Sequence, residues 1–132
     1  MCSNGIIMKE LTHAEEQIMH ILWRLEKAFV KEIVEEFPDP KPAYNTVSTI
    51  VRILEKKGFV SHQAFGKSHQ YFPMIGKEEY TKAHMNSFVK HYFHNSYEQM
   101  VSFFAREKSM SVKEMEEILR IIESELKKQK HD

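Results

Sequence analysis

Cysteine is almost absent from this 132-residue chain. The single one, Cys2, excludes an internal disulfide and a thiolate metal cluster, because both need more than one sulfur. Glycine is scarce as well. The four present build no phosphate-cradling loop, and no nucleophile elbow, Cys/His set or paired-carboxylate constellation stands out, so neither an enzyme nor a cofactor is expected. No apolar run is long enough to cross a bilayer, which excludes membrane insertion by a helix. The opening residues, Met1 to Lys9, lack the basic segment and apolar core of a secretory signal, and a cytoplasmic location is expected. Net charge is missing too, with 19 Lys and Arg against 19 Asp and Glu.

That zero conceals a distribution. Residues 1–40 carry 4 basic and 8 acidic side chains, whereas residues 41–74 carry 5 and 1, with His62 and His69 in addition. Residues 75–132 are balanced at 10 and 10. Local charge, not the total, meets phosphate. On charge alone the same segment also fits a solvated basic face without a partner.

Thr12-His-Ala-Glu15 has the form of a capping box, with hydroxyl and carboxylate each satisfying a free backbone N–H. Ala14, Ile18, Ile21, Leu22 and Leu25 recur at three- and four-residue steps, and Met19 and Trp23 widen the stripe, which predicts a helix over about 12–26. A short second helix is expected from Val30 to Phe37, with Ile33, Val34 and Phe37 inward, ended by Pro38, Pro40 and Pro42. A third helix runs from about Ala43 to Lys57, with Tyr44, Val47, Ile50, Val51 and Leu54 as its expected buried stripe and Gly58 as a left-handed stop. Phe59–Phe65, a Gly66-Lys67 turn and Ser68–Pro73 then read as a hairpin. Three helices followed by a hairpin with a basic tip is the winged-helix order.

Beyond a junction at Ile75-Gly76, one long helix is predicted from about Lys77 to Phe104. Ser111-Val-Lys-Glu114, a second capping box, opens a final helix to about Lys128. Phe88, Tyr92 and Met100 on the first, with Val112, Met115, Leu119, Ile122 and Leu126 on the second, are more large apolar groups than this segment can hide alone. The steps of three and four in the last helix form a heptad-like seam, and pairing with a second copy would bury it. A monomeric helical hairpin folded back on the first domain is the alternative. The expected class is therefore mainly α with a small β-hairpin: a winged helix-turn-helix domain over residues 1–75 and a helical dimerisation domain over residues 76–132.

The outward face of the third helix holds Asn45, Thr46, Ser48, Thr49 and Arg52. An ordinary surface helix carries Glu and Lys, whose propensity is better. Short hydroxyls and amides cost stability but let a backbone approach a groove closely. In a helix-turn-helix the second helix of the pair lies in the major groove. Asn45 matches the two groups of an adenine edge, the Thr46 and Thr49 methyls match thymine methyls, and Ser48 and Arg52 suit base or phosphate. Lys67 and Ser68 at the wing tip, with Lys41 and Lys56 or Lys57, are phosphate candidates, which hold register while base contacts select sequence.

Tyr44-Asn-Thr-Val-Ser-Thr-Ile-Val-Arg-Ile-Leu-Glu-Lys-Lys-Gly-Phe-Val60 closely resembles the recognition helix of the penicillinase-repressor family, the BlaI/MecI type. The wing, Gly66-Lys67 with Tyr71-Phe-Pro73, resembles it too, as do Leu11-Thr-His-Ala-Glu15, Ile18-Met-His-Ile-Leu-Trp23 and the sparse pattern from Ser111 to Leu126. The resemblance implies a dimeric repressor of double-stranded operator DNA with inverted half-sites, near a β-lactamase, cell-wall or metal-resistance gene. It carries the DNA-contact role to Asn45, Thr46, Ser48, Thr49 and Arg52, and the wing contact to Lys67. Relatives that answer β-lactams are cut by a membrane sensor-protease, the implied inducing partner, at an Asn-Phe bond. The corresponding bond here is Phe103-Phe104, without the Asn. The copper-responsive branch has a C-terminal cysteine cluster, and this chain has no cysteine after Cys2.

His84, His91 and His94 fall near one face of the long predicted helix, where a metal could be held, although no carboxylate or cysteine stands at a matching spacing. Half-exposed polar residues within an aromatic-rich interface are the favoured reading of them, and no metal is assigned. A winged-helix module that meets another protein instead of DNA is the competing function, since fold does not fix the partner.

Overall fold

The computed structural model describes residues 10–131, so Cys2 and the start of the chain lie outside it. The elements are α1 (His13–Leu25), β1 (Ala28–Phe29), α2 (Val30–Glu35), α3 (Tyr44–Lys56), β2 (Val60–Phe65), β3 (Ser68–Pro73), α4 (Lys77–Tyr92), α5 (Tyr97–Arg106) and α6 (Val112–Lys130). The chain divides into two compact units between His84 and Met85. Among the described residues no helix is long and apolar enough to cross a membrane.

In the first unit α1 starts where its sequence says it should. Thr12 Oγ1 accepts from the Glu15 N–H at 3.2 Å and the Thr12 N–H donates to Glu15 Oε1 at 2.8 Å, the reciprocal capping box. The stripe Ile18, Met19, Ile21 and Leu22 is buried against Ile33 of α2, Val47, Val51 and Leu54 of α3, and Phe59, Val60 and Tyr71 of the hairpin. Each such side chain contributes about 1.5–3 kcal/mol by leaving water. Tyr80, on the first turns of α4, joins this core, edge-on to Phe59 at 5.9 Å with its hydroxyl donating to Glu16 Oε2 at 2.9 Å. The first unit therefore extends past the junction expected at Ile75-Gly76. Trp23 fixes that junction by donating its indole N–H to the Ile75 carbonyl at 2.8 Å.

Gly58 has φ +86 just past α3, the left-handed stop read from the sequence. The sheet has three strands in the order β1-β3-β2, all antiparallel. β1, unforeseen in the sequence, pairs Ala28 with Tyr71 and Phe29 with Gln70. α2 opens at Val30 as expected, with the Phe29 N–H donating to Glu32 Oε1 at 2.8 Å, and ends at Glu35, short of the expected Phe37. Tyr44 is a correction: it does not belong to the buried stripe but stands 57% exposed. It is the first residue of α3, and at the helix end the stripe has run out of core to face.

The second unit corrects the long helix. α4 stops at Tyr92, and His94 and Asn95 have φ of +50 and +66. The Asn95 N–H donates to the Val89 carbonyl, six residues back, at 3.0 Å, closing the end of α4. Ser96 then caps α5 by accepting from the Gln99 N–H at 3.1 Å. Val89 is fully buried, and Phe93 meets Phe88 at 5.8 Å and Phe103 at 5.7 Å. The Tyr97 hydroxyl donates to Asn86 Oδ1. Ser111 caps α6 through the Glu114 N–H at 3.1 Å. None of the residues of α5 or α6 is buried.

Candidate nucleic-acid interface

Burial of Val47, Val51 and Leu54 fixes the rotation of α3 and leaves Asn45, Thr46, Thr49 and Arg52 exposed on the opposite side, with Ser48 half-buried beside them. Thr49 Oγ1 donates to the Asn45 carbonyl at 2.9 Å. Its hydroxyl is thus satisfied inside the helix, and its methyl is the group left for outside contact. A partly buried ion pair holds α3 at its other end: Lys57 Nζ donates to Glu15 Oε1 at 2.8 Å. Lys57 therefore leaves the set of phosphate candidates, while Lys56 stays exposed. Lys41 is exposed but already engaged at the surface. Its ammonium donates to the carbonyls of Glu35 and Phe37 at 2.9 and 2.7 Å, which satisfies the free end of α2.

The wing turns at Gly66, whose φ of +63 favours glycine, and presents Lys67 and Ser68 at its exposed tip. Between wing and α3 lies a cleft of about 660 Å³. Ser48, Arg52, Lys67 and Ser68 line it together. It also holds His69, which the sequence reading set beside Lys67 and Ser68 at the wing tip, and residues that reading missed: Tyr44 and Phe65, and Phe29, Val30, Lys31 and Glu32 from the β1–α2 corner. Tyr44 had a signal, its place at the start of a recognition helix. Phe29 and Lys31 had none, because only the pairing of β1 with β3 carries them there.

Electrostatics at the base of the wing are organised by Glu55. His62 Nδ1 lies 2.7 Å from Glu55 Oε2, and the His62 and His69 rings stack at 4.1 Å. The stack follows from the register, which sets Ala64 opposite His69 and His62 opposite Tyr71. Burial, reinforced by Glu55, pushes the Tyr71 hydroxyl up against the opposing pull of Arg52. Among the described residues no three His, Cys, Asp or Glu side chains are grouped to hold a metal. The one-face reading of His84, His91 and His94 fails because the helix ends before His94. His84 stacks on Tyr80 at 5.8 Å, and His91 Nδ1 bonds to the Ser87 carbonyl at 2.8 Å.

Fold and face together define a winged-helix regulator of the DNA-binding class. The family described as penicillinase repressor matches residues 11–124. The chain belongs to that family, whose members are transcriptional repressors and not enzymes. It is 25% identical over 114 residues to the methicillin resistance regulatory protein MecI of Staphylococcus aureus (strain N315), covering 86% of this chain and 93% of that one. It is 24% identical over 122 residues to the penicillinase repressor of Bacillus licheniformis, covering 92% and 95%. A solution structure of the DNA binding domain of the repressor BlaI superposes with a TM-score of 0.49 at 24% identity, over 56% of this chain and 92% of that one.

Proposed function

We propose that this protein is a cytoplasmic, sequence-specific repressor that binds inverted-repeat operators in double-stranded DNA as a homodimer, at genes of β-lactam resistance or a related stress. The observation that carries the reading is the exposed face of α3. Asn45, Thr46, Thr49 and Arg52 stand clear of the protein while the opposite stripe is buried, and Lys67 and Ser68 flank them from the wing. In this reading the α3 side chains select sequence, and Lys67, Ser68, Lys56 and Lys41 hold the backbone, Lys41 after releasing its two carbonyls.

The dimer rests on the second unit. Val112, Leu119, Ile122 and Leu126 of α6 are exposed, Leu119 by 58%, and Tyr92 is exposed with them. Phe88, Met100 and Met115 are half-buried and border the same surface in our reading. A seam of that kind is costly in water unless a second copy covers it. A sensor-protease is the inducing partner the family resemblance implies, but Phe103-Phe104 lacks the Asn of the relatives' cleaved bond and lies inside α5, which argues against induction by that route.

One observation favours a protein partner instead: Tyr44 and Phe65 present exposed rings beside the α3 face. Binding to the duplex upstream of the protein's own gene, at two salt concentrations and against an unrelated duplex of equal length, separates the readings. Tight, saturable binding to one duplex with steep salt dependence establishes the repressor. Equal, weak, salt-erased binding to both overturns it.

A further inference from the structure

The faces of the rings around the α3–wing cleft find no stacking partner on a B-form duplex. Phe29, Tyr44 and Phe65 come from three separate elements and surround one concavity, with Phe29 and Phe65 edge-to-face at 5.8 Å and buried Tyr71 behind. In B-form DNA the flat faces of the bases are stacked on one another, and proteins meet only their edges and the phosphates. A phosphodiester offers these rings nothing to stack on.

The same cleft holds three cations, Lys31, Arg52 and Lys67, and none of them takes part in an ion pair among the described residues. Its one carboxylate, Glu32, is committed to the Phe29 N–H at 2.8 Å. The cleft is thus concave, walled by aromatic rings and net positive, with three cations against the one carboxylate of Glu32. Its volume of about 660 Å³ lies in the range of small-molecule sites, roughly 300–1,000 Å³.

We propose that this cleft is an effector site for a small organic anion with a flat aromatic body, such as an aromatic carboxylate. The body lies among Phe29, Tyr44 and Phe65, and the carboxylate meets Arg52, Lys31 or Lys67. Ser48, Arg52, Lys67 and Ser68 line the cleft and also belong to the proposed DNA surface, so a bound anion and an operator compete directly. That consequence rests on the operator reading, whereas binding of the anion does not. Competition gives a route to derepression that needs no cleavage.

The test uses the full chain, with 2-naphthoate as probe and acetate and neutral 2-naphthalenemethanol as controls, by titration calorimetry. Saturable binding of naphthoate is expected, with acetate and the alcohol at least about tenfold weaker. Tyr44→Ala and Phe65→Ser should each raise the naphthoate Kd at least about tenfold. Both positions are exposed, and two variants guard against loss of fold in one. Absence of saturable binding overturns the site, and so does a Kd unchanged in both variants, which assigns the probe to the apolar surface of α5 and α6. Fluorescence anisotropy with labelled operator supplies the second arm: naphthoate should raise the apparent DNA Kd in proportion to its occupancy. Naphthoate bound in the cleft with DNA affinity unchanged refutes competition. A protein that binds naphthoate but no operator refutes the operator reading alone.

Discussion

Lys57→Met removes the ammonium that holds α3 to α1 while keeping most of the apolar stem. In the native protein Lys57 Nζ donates to Glu15 Oε1 at 2.8 Å and to the Glu10 carbonyl at 3.3 Å. The Glu15 side chain is 6% exposed and that of Lys57 24%, so the pair lies between the buried and surface limits. Breaking a fully buried pair costs about 3–5 kcal/mol and a surface pair about 0–1 kcal/mol, which places this variant near 2 kcal/mol. For a unit of this size that lowers Tm by about 8–16 °C. Trp23, the chain's single tryptophan, sits at the core of the first unit against Tyr80, and its fluorescence reports melting of that unit.

The pH dependence has a definite sign. Burial is the largest influence on the Glu15 carboxyl and pushes it up, but Lys57 and Thr12 together outweigh it and hold the group below its ordinary 4.5. A carboxyl depressed in the folded state stabilises above the unfolded pKa, and that contribution disappears as pH falls through the folded value. The Lys57→Met deficit should be full at neutral pH and shrink below about pH 4. A Tm within about 2 °C of the parent at neutral pH, or a deficit constant into acid, would refute the reasoning. Glu15→Gln combined with Lys57→Met should cost less than the sum of the two, by at least about 1 kcal/mol.

Asn45→Ala should relax operator choice at a single base position at a cost of about 1–3 kcal/mol, read by competition among single-base operator variants. Thr49→Ser keeps the hydrogen bond to the Asn45 carbonyl and deletes only the methyl, so it should lose preference for thymine with no change in melting temperature; an unaltered preference removes Thr49 from the base-reading set. Lys67→Ala should weaken all duplexes alike and reduce the salt slope by about 1, and unchanged values would remove the wing from the DNA surface. Leu119→Asp should yield a monomer by sedimentation and lose tight operator binding, whereas a dimeric Leu119→Asp protein rules out the α6 seam.

What could be read in advance follows the range of the signals. The capping box at Thr12, the stripe from Ile18 to Leu22 and the stop at Gly58 are local, and each stands where the sequence put it. Periodicity was misled past Tyr92 because Phe88, Tyr92, Phe93 and Met100 continue at helical spacing across the break. The stop is written in Asn95-Ser96 with Gln99 three residues on, a cap that a search for apolar rhythm passes over. β1 has only two residues and exists through pairing with residues more than forty positions away, so no local pattern announces it. The polar face of α3 was legible as composition. The cleft beside it was not, since a third of its lining, Phe29 to Glu32, arrives through that long-range pairing.

The three-stranded sheet has a mechanical consequence. β3 is clamped by β1 only at Gln70 and Tyr71, so the ribbon from Ala64 to His69 projects as a cantilever beyond its support. Behind it stands one prop, the ring of Phe29 against Phe65. A beam fixed at its root and propped at one point keeps its direction while its tip gives. On the proposed operator reading, such a wing would follow phosphates whose positions shift with sequence without disturbing the core that orients α3.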